Sequence, residues 1–427
     1  MKLEIKDFDY KGRGFAKKDG KIYFVPGGII GDSVEVQITE KKSKYSLAKI
    51  NKIIEKSPDR VKAKCPYFKS CGACDFQNYN YQKQINWKKD KVKQDLFRIG
   101  DIDIEVEDTL AMKDPYFYRN NIQLKVVNGK IGYYEKTSDK LVEIDKCLVA
   151  ENEINKTIAF LKTYKELKSL DEIVIRQNYL GEILVVLIGK SKLKYAADLI
   201  DQPKNLKIKS IYQNIRQNPK FRFGKEFIKV YGDDVLIDKL ADYEFEISPS
   251  SFFQVNRSQT ERLYQLAIDN LDLKKEDKVL DLYCGIGTIS IAVAKFVNQV
   301  VGVEISKQAV ENARKNAQRN EISNARFIAG KSEEIIDRLI EEGYKANKII
   351  LDPPRAGLDK KLITSLEKLG AEKISYISCN PSSQARDIKL LKKTYKVERV
   401  SPVDLFCHSV HVEALALLVK ERSDAEK

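Results

Sequence analysis

Histidine is nearly absent from this sequence, which contains only His408 and His411 among its 427 residues. Two histidines make a histidine-rich metal site or a histidine general base a poor prospect. Long apolar runs are also lacking, and none approaches the roughly 20 residues that a membrane-spanning helix needs. The first residues lack the charged and then apolar layout of a signal peptide. We therefore expect a cytoplasmic protein without membrane contact, whose seven cysteines are ligands, nucleophiles or core residues rather than disulfides.

A surplus of positive charge is the main compositional feature. Lys and Arg number 76 against 62 Asp and Glu, which gives a formal net charge of +14. Such a balance is typical of proteins that bind the phosphates of a polyanion, although a merely basic surface gives the same number. The length favours roughly two or three domains, each with its own core.

Residues 1–58 alternate apolar and polar side chains between Gly-rich turns, a pattern that predicts a small five-stranded barrel. Four aromatic residues could stack on nucleic acid, although aromatics at this spacing are about as often core residues. They are Tyr10, Phe15, Tyr23 and Phe24. The segment resembles a TRAM domain, an RNA-binding module of the oligonucleotide-binding type.

Residues 59–248 predict a central α+β domain. Its first helix carries one apolar face, formed by Tyr81, Ile85, Val92, Leu96 and Ile99. Apolar runs near residues 121–127, 172–176 and 183–187 read as strands.

Residues 249–427 alternate strands and helices, which predicts a parallel doubly wound sheet that closes with an antiparallel pair. The loop Asp281-Leu282-Tyr283-Cys284-Gly285-Ile286-Gly287-Thr288 follows the first strand, and Glu304 ends the next one, where a carboxylate can accept both hydroxyls of a ribose. Ser290 together with Asp281 favours S-adenosylmethionine over a nicotinamide cofactor.

Three polar motifs lie at the ends of later strands. Asp352-Pro353-Pro354-Arg355 places Arg355 where amino-directed methyltransferases carry a stacking aromatic, so a phosphate or carbonyl contact is favoured. Cys379 lies in Ser378-Cys379-Asn380-Pro381, a rigid turn that suits a nucleophile. Addition of a thiolate to C6 of uracil makes C5 nucleophilic, and a base must later remove the C5 proton. Glu413 precedes an apolar strand and is the candidate base, although a surface carboxylate is the simpler alternative.

Four motifs occur together in one order: Ser251-Phe252-Phe253-Gln254-Val255-Asn256, Asp352-Pro353-Pro354-Arg355, Ser378-Cys379-Asn380-Pro381 and His411-Val412-Glu413. In this combination the chain resembles the RNA 5-methyluridine (uracil-C5) methyltransferases, over nearly its whole length. The resemblance implies Cys379 as nucleophile, Glu413 as base, and contacts to S-adenosylmethionine from Gln254, Tyr283, Glu304 and Asp352. Thr288 and the pair Gly330-Lys331 depart from the family pattern, so neither position is predicted to hold the cofactor.

Cys65, Cys71 and Cys74 are closely spaced, and Cys147 lies far downstream. Three close thiols and one remote thiol favour an iron–sulfur cluster over zinc. The resemblance implies a [4Fe-4S] cluster, because ribosomal-RNA members of the family bind one through this pattern and transfer-RNA members typically lack it. Cys284 is expected to line the cofactor loop and Cys407 to pack in the core.

The predicted fold is therefore multidomain: an OB-like TRAM barrel, a central α+β domain with an iron–sulfur cluster and an RNA-binding surface, and a C-terminal Rossmann-like α/β methyltransferase domain. The predicted activity is methylation at C5 of a specific uridine in 23S ribosomal RNA, on protein-poor or early-assembly RNA and by a monomer. Transfer RNA is the alternative substrate, and a non-catalytic RNA-binding or assembly protein is the alternative class.

Overall fold

The computed structural model of this chain describes residues 1–200 and 206–421. Residues 422–427 at the end of the predicted C-terminal domain, and 201–205 within the predicted central domain, lie outside the described residues. No helix in the described part is long and apolar enough to cross a membrane.

The N-terminal unit is a curled sheet around a small apolar core that includes Val25, Val34 and Ala48. Its strands are β1 (Lys2–Glu4), β2 (Asp7–Phe8), β3 (Gly14–Lys18), β4 (Lys21–Val25), β5 (Ser33–Lys41) and β6 (Tyr45–Glu55), in the order β1-β5-β6-β4-β3-β2. The prediction of five strands is wrong, because this sheet has six. Two-residue β2 is too short to show the alternation that identifies a strand in sequence.

Helix α1 (Tyr81–Asp95) follows, and the Asn80 side chain caps it by accepting from the Lys83 N–H. Ile85, Val92 and Leu96 are buried as predicted, whereas Ile99 is 37% exposed. A π-helical turn at Leu96–Gly100 widens the end of the helix and rotates Ile99 off the apolar face. Val92 and Leu96 pack into the core of the C-terminal sheet, so α1 joins that unit.

The central unit is a mixed sheet with one packed helix. It comprises β7 (Asn121–Val127), β8 (Lys130–Tyr134), β9 (Leu141–Glu143), α2 (Asn152–Leu161), β10 (Leu170–Gln177), β11 (Ile183–Gly189), β12 (Ile208–Ile215) and β13 (Glu226–Gly232), with the strand order β13-β12-β11-β10-β7-β8-β9. Single turns of 3₁₀ helix lie at Leu167–Ser169 and Ala196–Leu199. The hairpin of β14 (Leu236–Leu240) and β15 (Tyr243–Ile247) leads to the last unit. The domain boundaries given above stay a prediction.

The C-terminal unit is a doubly wound sheet covered by helices on both faces. It comprises α3 (Arg257–Leu271), β16 (Lys278–Leu282), α4 (Thr288–Ala294), β17 (Gln299–Glu304), α5 (Lys307–Arg319), β18 (Ala325–Ala329), α6 (Ser332–Glu341), β19 (Lys348–Leu351), α7 (Lys360–Leu369), β20 (Lys373–Ser378), α8 (Pro381–Leu391), β21 (Tyr395–Val403) and β22 (Glu413–Lys420). The strand order is β18-β17-β16-β19-β20-β22-β21.

Strands β16 to β20 pair in parallel, and β22 is antiparallel to both of its neighbours, as predicted. The carboxyl ends of the parallel strands and the start of β22 therefore meet at one edge of the sheet. In open α/β sheets this edge is where ligands bind.

Candidate active site

Cys379 and Glu413 occupy adjacent places at this edge. Ser378, the last residue of β20, pairs with Ala414 of β22, so Cys379 and Glu413 follow and precede a paired position on neighbouring strands. The turn after β20 is fixed locally, because the Asn380 N–H donates to Ser378 Oγ (3.1 Å) and Pro381 opens α8. The sheet register and this turn together hold the thiol and the carboxyl at one end of the sheet.

Burial and neighbouring charges shift the pKa values of the thiol and the carboxyl. The pKa of the half-buried Cys379 thiol is raised to about 11, mainly by burial and then by the negative charge of Glu413, while Arg355 lowers it. Burial also raises the pKa of Glu413 to about 8, with Asp352 adding to the rise and Arg355 lowering it. In the free protein at neutral pH both groups are therefore mainly protonated, and Arg355 is the cation that favours their ionised forms.

Arg355 is exposed and held in place by two neighbours. Its carbonyl oxygen accepts from Asn380 Nδ2 at 2.9 Å, and its Nη2 lies 3.3 Å from His411 Nε2. Burial, and then the charge of Arg355, lower the pKa of His411 to about 4, so the imidazole is neutral at physiological pH. Because the neutral imidazole leaves the charge of the guanidinium uncompensated, Arg355 can attract an anionic or carbonyl oxygen at the mouth of the site.

The glycine loop after β16 leaves open space beside Glu304. The Glu304 carboxylate accepts from the Gly285 N–H (3.2 Å) and the Ser306 N–H (2.8 Å). Tyr283, Gly285 and Gly287 all have left-handed φ angles, of 68°, 56° and 85°. A side chain at Gly285 would meet nothing within 4 Å, so the backbone here faces space that a ligand can fill.

A buried acceptor without a partner lies under this loop. Ser290 Oγ donates to Asp281 Oδ2 at 2.5 Å, while Asp281 Oδ1 has no hydrogen-bond partner in the described part of the chain. Burial raises the pKa of Asp281 to about 7, and burial likewise raises that of Asp352, which follows β19, to about 7. Because an unpaired buried carboxylate oxygen is costly, these residues fit a ligand that brings a positive charge and hydrogen-bond donors.

Gln254 lies in the segment before α3 and is half-buried. Its carbonyl oxygen accepts from Asn120 Nδ2 (3.0 Å), and the Asn120 N–H donates to the Val255 carbonyl (2.9 Å). Phe252, two residues earlier, is 64% exposed. The central sheet thus anchors the backbone of the segment, while the function of the Gln254 side chain stays a prediction.

The two departures from the family pattern have partners of their own. Thr288 Oγ1 lies 2.9 Å from the hydroxyl of Tyr264, and the Lys331 ammonium pairs with Glu334 at 3.1 Å. Nothing in the sequence marks Tyr264 as a site residue, because it occupies an ordinary apolar position of α3. Its buried hydroxyl lies near Asp352, whose charge is the main electrostatic reason, after burial, for its raised pKa.

The four clustered cysteines surround one cavity. Cys65, Cys71, Cys74 and Cys147 line a cavity of about 20 Å³ together with Gln77 and other residues. Among the described residues, no three His, Cys, Asp or Glu side chains form a group that could hold a metal ion. The iron–sulfur cluster therefore stays a prediction.

Two of these thiols are buried and have a polar neighbour. Burial raises the pKa of Cys71 to about 11 and that of Cys74 to about 12, so both are protonated at neutral pH in the free protein. Gln77 Nε2 donates to Cys74 Sγ at 3.3 Å, the kind of bond that stabilises a ligating sulfur. Cys284 and Cys407 lie elsewhere and are buried.

Comparison with known proteins agrees with this geometry. Residues 80–421 match the family model of tRNA (uracil-5-)-methyltransferases, and residues 1–50 match the TRAM domain. An RNA methyltransferase of Clostridium tetani is 39% identical over 97% of this chain and 95% of its own length. One of Listeria innocua is 36% identical over 98% of this chain and 97% of its own.

A solved structure also resembles the whole chain. The tRNA (uracil-54, C5)-methyltransferase of Pyrococcus abyssi, in complex with S-adenosyl-L-homocysteine, is 29% identical, with a TM-score of 0.79 over 98% of this chain and 100% of that one. The predicted TRAM domain and C-terminal methyltransferase fold are confirmed, and so is the predicted family. This chain belongs to the tRNA (uracil-5-)-methyltransferase family of S-adenosylmethionine-dependent RNA methyltransferases and carries an N-terminal TRAM domain.

Proposed function

We propose that this chain methylates C5 of a specific uridine in 23S ribosomal RNA through a covalent adduct with Cys379. The observation that carries the proposal is the placement of Cys379 and Glu413 at adjacent positions of two paired strands, with Arg355 beside both. A lone thiol at a strand end would support packing equally well. A thiol and a buried carboxyl that share one cation support a two-step covalent reaction.

The reaction needs one nucleophile, one cation and one base. The Cys379 thiolate adds to C6 of the uracil, and the electron pair of the C5–C6 double bond moves toward O4, where Arg355 stabilises the developing negative charge. C5 then takes up the methyl group that S-adenosylmethionine would supply, as the methyl–sulfur bond breaks and S-adenosyl-L-homocysteine leaves. Glu413 removes the remaining C5 proton, the double bond re-forms, and the C6–sulfur bond breaks to return the thiolate.

The residues proposed to hold S-adenosylmethionine are Gln254, Tyr283, Glu304 and Asp352. The strand-end position of Glu304 suits the ribose hydroxyls, and the unpaired oxygen of Asp281 suits a cationic end of the ligand. The target base must leave its stack to reach Cys379, which is half-buried. The barrel and central unit are proposed to hold the displaced strand.

Methyl transfer from radiolabelled S-adenosylmethionine to ribosomal RNA tests the mechanism. We expect Cys379→Ala to give no product and no protein–RNA adduct on a denaturing gel. Glu413→Gln should accumulate the methylated adduct, because the C5 proton stays in place. Glu398→Gln, an exposed glutamate of β21, is the matched control and should behave as wild type.

Methylation by Cys379→Ala would overturn the covalent mechanism. If the wild-type protein transfers no methyl group to ribosomal or transfer RNA, the alternative of an RNA-binding or assembly protein is supported instead.

Transfer RNA is the second candidate substrate, and a specific observation favours it. The Pyrococcus enzyme that matches this chain over its whole length acts on tRNA. A barrel, a central sheet and a methyltransferase unit are therefore compatible with either RNA. The four-cysteine pattern supports ribosomal RNA through the resemblance given above. Mass mapping of 5-methyluridine in both RNAs from a strain lacking this gene distinguishes the two, and a loss confined to tRNA would contradict the ribosomal assignment.

We further propose that Cys65, Cys71, Cys74 and Cys147 hold a [4Fe-4S] cluster with a structural function, because the reaction at C5 transfers no net electrons. Their shared cavity and buried thiols support this assignment. Iron and acid-labile sulfide in anaerobically purified protein should approach four of each per chain, the composition of such a cluster. Cys71→Ser should lower both, and zinc in place of iron would contradict the proposal.

We propose that the enzyme acts as a cytoplasmic monomer.

A further inference from the structure

The segment 404–412 connects β21 to β22 and ends next to Glu413. Its first residue is fixed by a buried ion pair. Lys88 of α1 and Asp404 are both 0% exposed, with Lys88 Nζ 2.5 Å from Asp404 Oδ1. The Tyr81 hydroxyl donates to Asp404 Oδ2 at 2.7 Å. The start of the segment is therefore tied to the helix that precedes the central sheet.

The middle of the same segment is tied to the cysteine-bearing loop. The N–H groups of Asp75 and Phe76 both donate to the His408 carbonyl oxygen, at 2.8 and 3.0 Å. In return the Val410 N–H donates to the Asp75 carboxylate at 3.2 Å. His408 has a left-handed φ of 61°, a strained conformation for a non-glycine residue, so the backbone is held there by its neighbours.

Asp75 directly follows a residue that lines the cysteine cavity. Its chain neighbour Cys74 lines the cavity with Cys65. Gln77 links the two, because its Nε2 donates to Cys74 Sγ (3.3 Å) and its Oε1 accepts from the Cys65 N–H (3.2 Å). One short loop thus contributes a thiol to the cavity and, at the next residue, a carboxylate to the segment that leads to Glu413.

The segment also meets the cation of the active site, because His411 lies against Arg355 and Glu413 follows two residues later. A shift of the Asp75 carboxylate changes the position of Val410, and Val410 is three residues from Glu413. The other end of the segment is fixed by Asp404. We therefore expect movement of the cysteine-bearing loop to change the backbone position between Val410 and Glu413.

We infer that Asp75 is a positioning residue for Glu413: it transmits the geometry of the cysteine loop through His408 and Val410 to the base at the start of β22. The inference rests on the proposed function, because the proposed reaction contains the step that the cysteine-bearing loop would control. That step is removal of the C5 proton, after which the C6–sulfur bond breaks. Addition of Cys379 and methyl transfer do not require Glu413 to be in place.

Three variants separate this function from a general structural one. Asp75→Ala removes the acceptor of the Val410 N–H, and Asp75→Asn keeps one. Asp145→Ala is the matched control: Asp145 is an exposed carboxylate two residues from Cys147 and accepts from the Tyr67 hydroxyl (3.0 Å) of the same cysteine loop. The variants are purified with their metal content measured, so that loaded protein is compared with loaded protein.

We expect Asp75→Ala to lower kcat about tenfold or more with little change in KM for RNA, and to accumulate protein–RNA adduct, because a base displaced by a fraction of an ångström is slow. Backbone hydrogen exchange in 404–412 should become roughly five- to tenfold faster, the factor that corresponds to one lost hydrogen bond. Asp75→Asn should restore kcat, adduct level and exchange. Asp145→Ala should match wild type in all three.

Wild-type kcat, adduct level and exchange in Asp75→Ala would overturn the inference. So would an Asp75→Asn protein as impaired as Asp75→Ala, since the hydrogen bond would then not be the link. The exchange measurement needs no methyl transfer, so the loop–segment link can fail or hold independently of the proposed function. If wild-type protein methylates RNA while Asp75→Ala changes nothing, the inference alone fails.

Discussion

Arg355 offers a direct test of the electrostatics of the site, through Arg355→Gln. The guanidinium lowers the pKa of both Cys379 and Glu413, so its removal raises both values. Each group must lose a proton before it acts, and activity therefore falls as the pH drops below these pKa values. Removal of the C5 proton, the step assigned to Glu413, should have an acidic limb near pH 8 that moves to higher pH in the variant.

The size of the shift follows from the exposure of Arg355. Two unit charges 4 Å apart interact by about 4 kcal/mol at an effective dielectric constant of 20. Because Arg355 is exposed, the smaller value of about 1 kcal/mol measured for solvent-exposed pairs applies. That energy corresponds to roughly 0.7 pKa unit, or about a fivefold lower rate at pH 7 from ionisation alone.

Decay of the methylated protein–RNA adduct in a single turnover, measured from pH 6 to 10, is the assay, because this step needs the Glu413 carboxylate and not the Cys379 thiolate. Loss of a contact between Arg355 and O4 lowers the rate equally at every pH, whereas the lost charge moves the profile along the pH axis. Arg338→Gln is the matched control, since Arg338 is an exposed arginine of α6 that pairs with Glu342. An unshifted profile, or one displaced to lower pH, would refute the electrostatic argument.

Two further predictions concern stability and RNA binding. Lys88→Met leaves Asp404 buried without its cation and should lower the free energy of unfolding by about 3–5 kcal/mol in urea titrations. Lys89→Met removes a partly exposed neighbouring lysine and should change the free energy of unfolding little. Equal losses in the two variants would contradict a stabilising contribution of the buried pair. A plot of the logarithm of the RNA association constant against the logarithm of the salt concentration should fall, with a slope of about −0.7 per phosphate contacted in single-stranded RNA. Fluorescence anisotropy measures the association constant. A plot with zero slope would show that the net charge of +14 does not contribute to RNA binding.

The arrangement of the C-terminal sheet could be predicted because its signals are local. Strand–helix alternation and the residues after each strand placed Cys379, Asp352 and Glu304 at one edge, and the antiparallel closing pair placed Glu413 beside them. The rule that parallel strands end at the same edge converts sequence order into spatial proximity.

The contacts that hold the site in place could not be predicted in the same way. Lys88 and Asp404 are 316 residues apart, and Asp75 and Val410 are 335 apart. Lys88 lies between Ile85 and Val92 on the apolar face of α1, but helical periodicity does not identify Asp404 as its buried partner. The π-helical turn that exposes Ile99 likewise has no signal in a regular 3.6-residue pattern.

The contacts that fix segment 404–412 also have a consequence for folding during translation. Its partners, α1 and the cysteine-bearing loop, leave the ribosome some three hundred residues earlier, as the separations in sequence require. Domains fold in the order of synthesis, and contacts across such distances in sequence form slowly. During translation Lys88 and Asp75 therefore stay without Asp404 and Val410 until those residues have been synthesised. We expect the nascent chain to have a folded barrel, and to gain a competent base only after β22 has been synthesised and has docked.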